Sequence, residues 1–91
     1  MNAYLVEYLG TLFLVFIIFS TNNYIAIGSA LAIAVLLGGP ISGGSFNPAV
    51  TLAMIYSGRL NNNELIPYMF SEFLGAFTAI YLIKNMVNRP A

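Results

Sequence analysis

Apolar residues along this chain gather into three long runs, separated by short polar or glycine-rich interruptions. The first run, Ala3 to Ser20, is broken only by Glu7, Gly10 and Thr11. A helix over it rises 1.5 Å per residue and covers about 27 Å, close to the ~30 Å hydrocarbon core of a bilayer. Thr21-Asn22-Asn23 forms a short polar turn. A second run extends from Tyr24 to about Leu37, where Gly38-Gly39-Pro40 is expected to end it. The third, Leu65 to Ile83, opens behind Asn63 as its expected N-cap, with Pro67 in the tolerant first turn. Tyr4, Tyr8, Tyr24, Tyr56, Tyr68 and Tyr81 fall mostly near the ends of these runs, where amphipathic rings favour a membrane interface.

Between the second and third runs the pattern changes. Residues 38–46, Gly38-Gly39-Pro40-Ile41-Ser42-Gly43-Gly44-Ser45-Phe46, carry too much Gly and Pro to predict a helix. Asn47-Pro48 then opens an apolar run, Ala49 to Tyr56, which Ser57-Gly58 closes. Asn is a preferred N-cap, Pro fits the first helical position, and Gly suits the C-terminal end. The predicted helix of about ten residues is ~15 Å long, half a bilayer core. An irregular loop feeding a half-length helix is a re-entrant element. Such backbone persists at membrane depth only when buried in protein or lining a watery cavity. The expected fold class is therefore an all-α membrane protein with three transmembrane helices and one re-entrant half-helix.

Composition agrees with a bilayer setting. The chain has 91 residues, 59% hydrophobic and 7% charged, with a mean hydropathy of +0.85. Soluble domains carry about 25% charged residues. Glu7, Glu64 and Glu72 balance Arg59, Lys84 and Arg89, so nothing in the charge recommends nucleic acid as a partner. Without Cys or His there is no thiolate, no disulfide and no common metal ligand, and no metal, cofactor or enzymatic chemistry is expected. The N-terminal segment Met1-Asn2-Ala3-Tyr4 lacks the basic residues of a signal peptide, so the first run is expected to be retained as a span. Multi-pass insertion in the cell membrane, plasma or inner, follows as the expected location.

The loop carries a specific resemblance. Ile41-Ser42-Gly43-Gly44-Ser45-Phe46-Asn47-Pro48-Ala49-Val50-Thr51-Leu52 resembles the signature loop of the aquaporin and glycerol-channel family, the major intrinsic proteins. Glu7-Tyr8-Leu9-Gly10-Thr11 is similar to that family's first-helix motif, and Ser71-Glu72-Phe73-Leu74-Gly75-Ala76 to its third-helix motif. The resemblance covers nearly the whole chain. It implies half of the aquaporin fold as a single domain over residues 1–91, and passive passage of water or small neutral solutes. It also implies that Asn47, Pro48 and Ala49 line the pore, and that Glu7 hydrogen-bonds the backbone of the re-entrant loop. The residues alone leave a second reading for Glu7, a carboxylate reaching the interface from a turn and a half inside its helix. Glu72 stands where the family usually has Gln. It is placed with Glu7 as a loop-bracing residue, although a neutral acid is equally open.

Physical chemistry gives the loop a function on its own terms. The Asn47 side-chain oxygen can cap the half-helix while its NH₂ donates into a lumen. The helix N-terminus adds about half a unit of positive charge. Two such termini meeting in mid-membrane would repel cations and orient passing water, interrupting a proton wire.

Members of the family hold two inverted repeats in one chain, and this sequence supplies one. Three spans and one half-helix cannot enclose a pore in lipid. The expected remedy is an antiparallel homodimer, alone or within a larger homo-oligomer. If the N-terminus and Arg59 share one side, Lys84 and Arg89 lie on the other, leaving almost no positive-inside bias. The loop reads as a hybrid: Gly39 to Phe46 resembles the family's second-half loop, and Val50-Thr51-Leu52 its first-half loop. Val50 occupies the position of the second-half filter Arg, while Ile27, Gly44 and Val35 take the other filter positions. An uncharged mouth leaves glycerol, urea, ammonia or dissolved gas open as solutes. Two alternatives stand beside the homodimer: a half-channel completed by a different partner half, and a small membrane-permeabilising protein. Gly10, Gly28 and Gly75, with Ala32 and Ala79, are expected at close helix crossings.

Overall fold

A computed structural model describes residues 1–87, and Arg89, with its part in the charge count, lies outside them. Helix α1 (Ala3–Thr21) is capped by Asn2, whose side chain accepts from the Leu5 amide at 2.8 Å. The polar turn both stops α1 and starts α2 (Tyr24–Ser42). Asn22 takes the left-handed conformation (φ 51°) and donates its amide to the Ile18 carbonyl, while Asn23 caps α2 through the Ala26 amide at 3.0 Å. Both helices are long and apolar enough to cross a membrane, and so is the segment Asn62–Met86.

Helix α2 overruns its expected end. The sequence predicts a stop at Gly38, yet the helix continues through Gly38-Gly39-Pro40 to Ser42. In an apolar medium each backbone group left outside a helix lacks water as a partner, so extending the helix is favoured over an open loop. The missing side chain of Gly38 also makes a seat. A Cβ there would sit 2.8 Å from Val6 Cγ1 and 2.9 Å from Phe46 Cζ. The stop comes at Gly43, where φ of 90° is a glycine conformation.

Helix α3 (Pro48–Tyr56) has nine residues, about 13.5 Å of rise. Its end is a Schellman closure: Gly58 (φ 83°) donates to the Ile55 carbonyl at 3.1 Å, and Arg59 to that of Met54 at 2.9 Å. Asn63 does not cap the next helix. It lies inside a 3₁₀ turn, Asn62–Glu64, which runs into α4 (Leu65–Leu82), and that helix has no side-chain cap. A π-type turn, Ile83–Val87, follows.

Helix α1 lies between α2 and α4 and touches both. It runs parallel to α4 at a close crossing, where a Cβ on Gly75 would sit 2.5 Å from the Tyr8 carbonyl oxygen and 3.1 Å from Thr11 Cβ. The start of α1 is joined to the start of α4 by the Tyr4 hydroxyl, which donates to Glu64 at 3.2 Å, and by an edge-on contact of Tyr4 with Tyr68. The chain therefore places its N-terminus and the Arg59 loop at one end. Gly28 departs from the expected pattern: nothing lies within 4 Å of a Cβ built there, and Ala32 is exposed.

Burial is inverted relative to a water-soluble domain. Among the described residues, Val6, Ala30, Ala34, Phe46, Tyr68, Ala79 and Ile83 are buried, but so are Glu7, Thr11, Ser42, Ser45, Thr51, Ser71 and Glu72. Phe19, Leu36, Leu37, Ile66, Phe70 and Phe77 are each more than 60% exposed. An apolar exterior around a polar interior is the arrangement lipid favours. Hydroxyls on the exterior bond inward to their own helices, as Ser20 does to the Phe16 carbonyl at 2.6 Å and Thr78 to that of Leu74 at 2.8 Å.

Candidate functional site

Asn47 begins α3 from an extended conformation, and its Oδ1 accepts the Ala49 amide at 2.7 Å. Its carbonyl oxygen takes the Thr51 amide at 2.9 Å, the first bond of the helix. Pro48 holds the first helical position, where no amide is needed. The Asn47 NH₂ has no protein acceptor among the described residues, and both Asn47 and Ala49 are exposed. The site therefore presents a donor beside a positive helix terminus on an open face.

What holds the loop is polar. The Glu7 carboxylate, wholly buried, receives the Phe46 amide on Oε1 at 2.8 Å, the Ser45 hydroxyl on Oε1 at 2.8 Å and the Ser42 hydroxyl on Oε2 at 2.6 Å. Glu7 thus points into the loop and away from the interface. Ser45 Oγ also lies 2.8 Å from Thr51 Oγ1 and 3.0 Å from Glu72 Oε2, and Thr51 Oγ1 lies 2.6 Å from that same Glu72 oxygen. The two carboxyls are joined through the hydroxyls on either side of Asn47. Tyr68 donates to the Ser42 carbonyl at 2.8 Å, satisfying one of the open carbonyls at the end of α2.

Apolar packing supplies the remaining support. Phe46, with φ of 52°, takes a backbone conformation uncommon for a bulky residue, and its side chain is 3% exposed. The ring fills the notch that Gly10 of α1 and Gly38 of α2 leave between them. Gly44 (φ 70°) lies against Gly39, where a Cβ would approach the Gly39 Cα to 3.3 Å.

Of the expected filter positions, Val35, Gly44 and Val50 lie toward the loop end, with Val35 and Val50 exposed and Gly44 half-buried. Val35 lies one turn before Gly39 on α2, and a Cβ on Gly39 would sit 3.8 Å from Val35 Cγ1. Ile27 does not join them. It is half-buried near the opposite end of α2, about 18 Å along the helix from Gly39.

The sequence assigns no role to Ser42, Ser45 or Thr51, and it groups Tyr68 with tyrosines near an interface, whereas the structure buries Tyr68. Intramembrane hydroxyls flanking an Asn-Pro pair were the available signal, but nothing in their spacing named the carboxyls they meet. Among the described residues no three His, Cys, Asp or Glu side chains are placed to hold a metal ion.

A family profile described as "Major intrinsic protein" matches residues 1–91. Glycerol uptake facilitator protein-like 6 of Lactiplantibacillus plantarum is 37% identical, over 97% of this chain and 45% of that protein. Aquaglyceroporin AqpS of Rhizobium meliloti is 38% identical, over 75% of this chain and 29% of that protein. Aquaporin Z of Brucella melitensis is 45% identical, over 63% of this chain and 26% of that protein. The chain spans less than half the length of these relatives. No solved structure gives a significant match.

Proposed function

The chain belongs to the major intrinsic protein family, and from that premise we propose that it forms a membrane channel for water or small neutral solutes, completed by an inverted second copy. The observation that carries this reading is Asn47, which opens a half-length helix with its amide NH₂ unused and exposed. By its nine-residue length, α3 carries that terminus about half a bilayer core deep from the Arg59 end. At that depth a free donor and a positive terminus need water, a solute or a matching wall opposite them. The relatives' names tie the family to glycerol and water, and both remain candidate solutes for this chain.

Geometry favours the inverted copy. Ile27 sits at one end of α2, while Gly44 and Val50 belong to the loop end, so one chain cannot assemble these positions around one constriction. A copy turned upside down brings its own Gly44 and Val50 to the end where Ile27 lies. The charge pattern permits both insertions, with Arg59 at one end and the exposed Lys84 at the other. Stopped-flow light scattering on proteoliposomes tests the reading. Water or glycerol should equilibrate faster than in empty liposomes, with no matching ion conductance. Rates equal to those of empty liposomes for water, glycerol, urea and ammonia would sink it.

A further inference from the structure

Among the described residues, Glu7 and Glu72 are the largest side chains that are fully buried, and every hydrogen-bond partner they have there is a hydroxyl or the Phe46 amide. Among the described residues, the titratable groups facing this cluster are the two carboxyls themselves, from α1 and α4, and the Tyr68 hydroxyl, which is spent on the Ser42 carbonyl. Arg59 and Lys84 are exposed elsewhere. Two buried carboxylates with no cation would be a severe arrangement, since an uncompensated buried charge is strongly destabilising.

Counting hydrogens resolves it. Ser45 and Thr51 make short oxygen contacts with each other (2.8 Å), Ser45 with Glu7 (2.8 Å), and both with Glu72 Oε2 (3.0 and 2.6 Å). Each hydroxyl has one hydrogen to give. If both carboxyls were ionised, two hydrogens would serve four contacts, and the others would press lone pair against lone pair. One proton on Glu72 Oε2 raises the count to three and gives a directed relay: Glu72 donates to Thr51, Thr51 to Ser45, and Ser45 to Glu7, which leaves only the longest contact, Ser45 with Glu72 Oε2 at 3.0 Å, without a hydrogen. The 2.6 Å step suits a strong O–H···O bond. The relay ends on Glu7, which has three donors and is equipped to keep the negative charge. Glu72 Oε1, in contrast, is buried with no partner among the described residues. A bare carbonyl oxygen of a neutral acid is tolerable there, whereas a bare carboxylate oxygen is far more costly.

We propose that Glu72 is a positioning residue that works as a neutral carboxylic acid, donating through Thr51 and Ser45 to set the loop that carries Asn47. The purpose of that positioning rests on the channel reading above, but the proton assignment does not. Gln places an NH₂ where the acid has its O–H, so it should substitute, whereas Ala leaves Thr51 and Ser45 short of a donor. The test is infrared spectroscopy of the full chain in lipid at neutral pH, in H₂O and D₂O. A carboxylic-acid C=O band that shifts in D₂O is expected in the wild type, retained in Glu64→Gln and lost in Glu72→Gln. Glu72→Gln should give the wild-type yield of monodisperse protein, and Glu72→Ala a yield severalfold lower. No acid band, a band surviving Glu72→Gln, or equal damage from Gln and Ala would overturn the assignment. Solute flux measured on the same samples separates the two ideas. An acid band without flux defeats the channel reading and leaves the Glu72 proton standing.

Discussion

Asn47 divides its side chain between two tasks, with Oδ1 holding the Ala49 amide and the NH₂ turned to open space. An Asp at this position would keep the cap and replace the donor with a negative charge. Asn47→Asp should then raise cation permeability about tenfold, the effect of ~1.4 kcal/mol, within the range of a helix-terminus interaction. Unchanged cation flux in Asn47→Asp liposomes would place the side chain away from the solute path. Glu7 is a different kind of residue, because it receives three donors and meets no solvent. Glu7→Ala strands those donors at about 1–3 kcal/mol each, so folded yield in detergent should collapse. Glu7→Gln keeps one acceptor oxygen and should fall less far. Wild-type yield from both variants would mean that the loop holds itself. The Asn-Pro pair made the cap legible in sequence. The Ser45–Thr51 bridge was not, because its partners arrive from helices 38 residues before and 21 residues after it.

At the scale of elements, one boundary and one cap differ from what the pattern predicts. Glycine and proline read as a break at Gly38-Gly39-Pro40, yet α2 passes through them. Gly38 is there to admit the Phe46 ring, and the helix keeps its backbone groups paired in a medium without water. Helix α4 starts at Leu65 as the pattern predicts, but a 3₁₀ turn, and not a capping Asn63, leads into it. The Phe46 seat gives a sharp contrast between glycines that look alike in sequence. Gly38→Ala should overpack the notch and cost about 1–3 kcal/mol, visible as a lower melting temperature in detergent. Adding Phe46→Leu to Gly38→Ala should recover part of that loss. Gly28→Ala meets nothing in the subunit and gains helix propensity, ~1 kcal/mol, so melting should hold or rise. Equal losses at Gly38 and Gly28 would show that the notch is not the reason for the glycine.

On the scale of the whole molecule, the apolar faces of three helices are exposed, as suits an integral membrane protein, and the Asn47 face is open. If an inverted copy completes the channel, forcing one orientation should abolish flux. Two Lys added after Arg89 bias insertion one way, and two Lys added after Asn2 bias it the other. Each variant alone should lose solute flux, and co-expression should restore it. A single fixed-orientation variant that conducts like the wild type would rule out the antiparallel pair, while loss in both without rescue would point to a different partner half.

The sequence by itself determined what depends on local chemistry and on the length of apolar runs. That covers three membrane-length helices, the polar turn at Asn22-Asn23, the half-helix opened by Asn47-Pro48 and closed by Gly58, and membership of a family whose loop motif is contiguous. Only the tertiary structure decided what depends on groups far apart in the chain. It set α2's true end, the seating of Phe46 between Gly10 and Gly38, and the meeting of Glu7 and Glu72 across Ser45 and Thr51. It also separated Ile27 from Gly44. The Asn22-Asn23 turn and the Asn47 cap follow from bonds within a few residues, whereas a notch or a buried carboxyl pair exists only once three helices have packed, and no periodicity along the chain encodes which turn will face which.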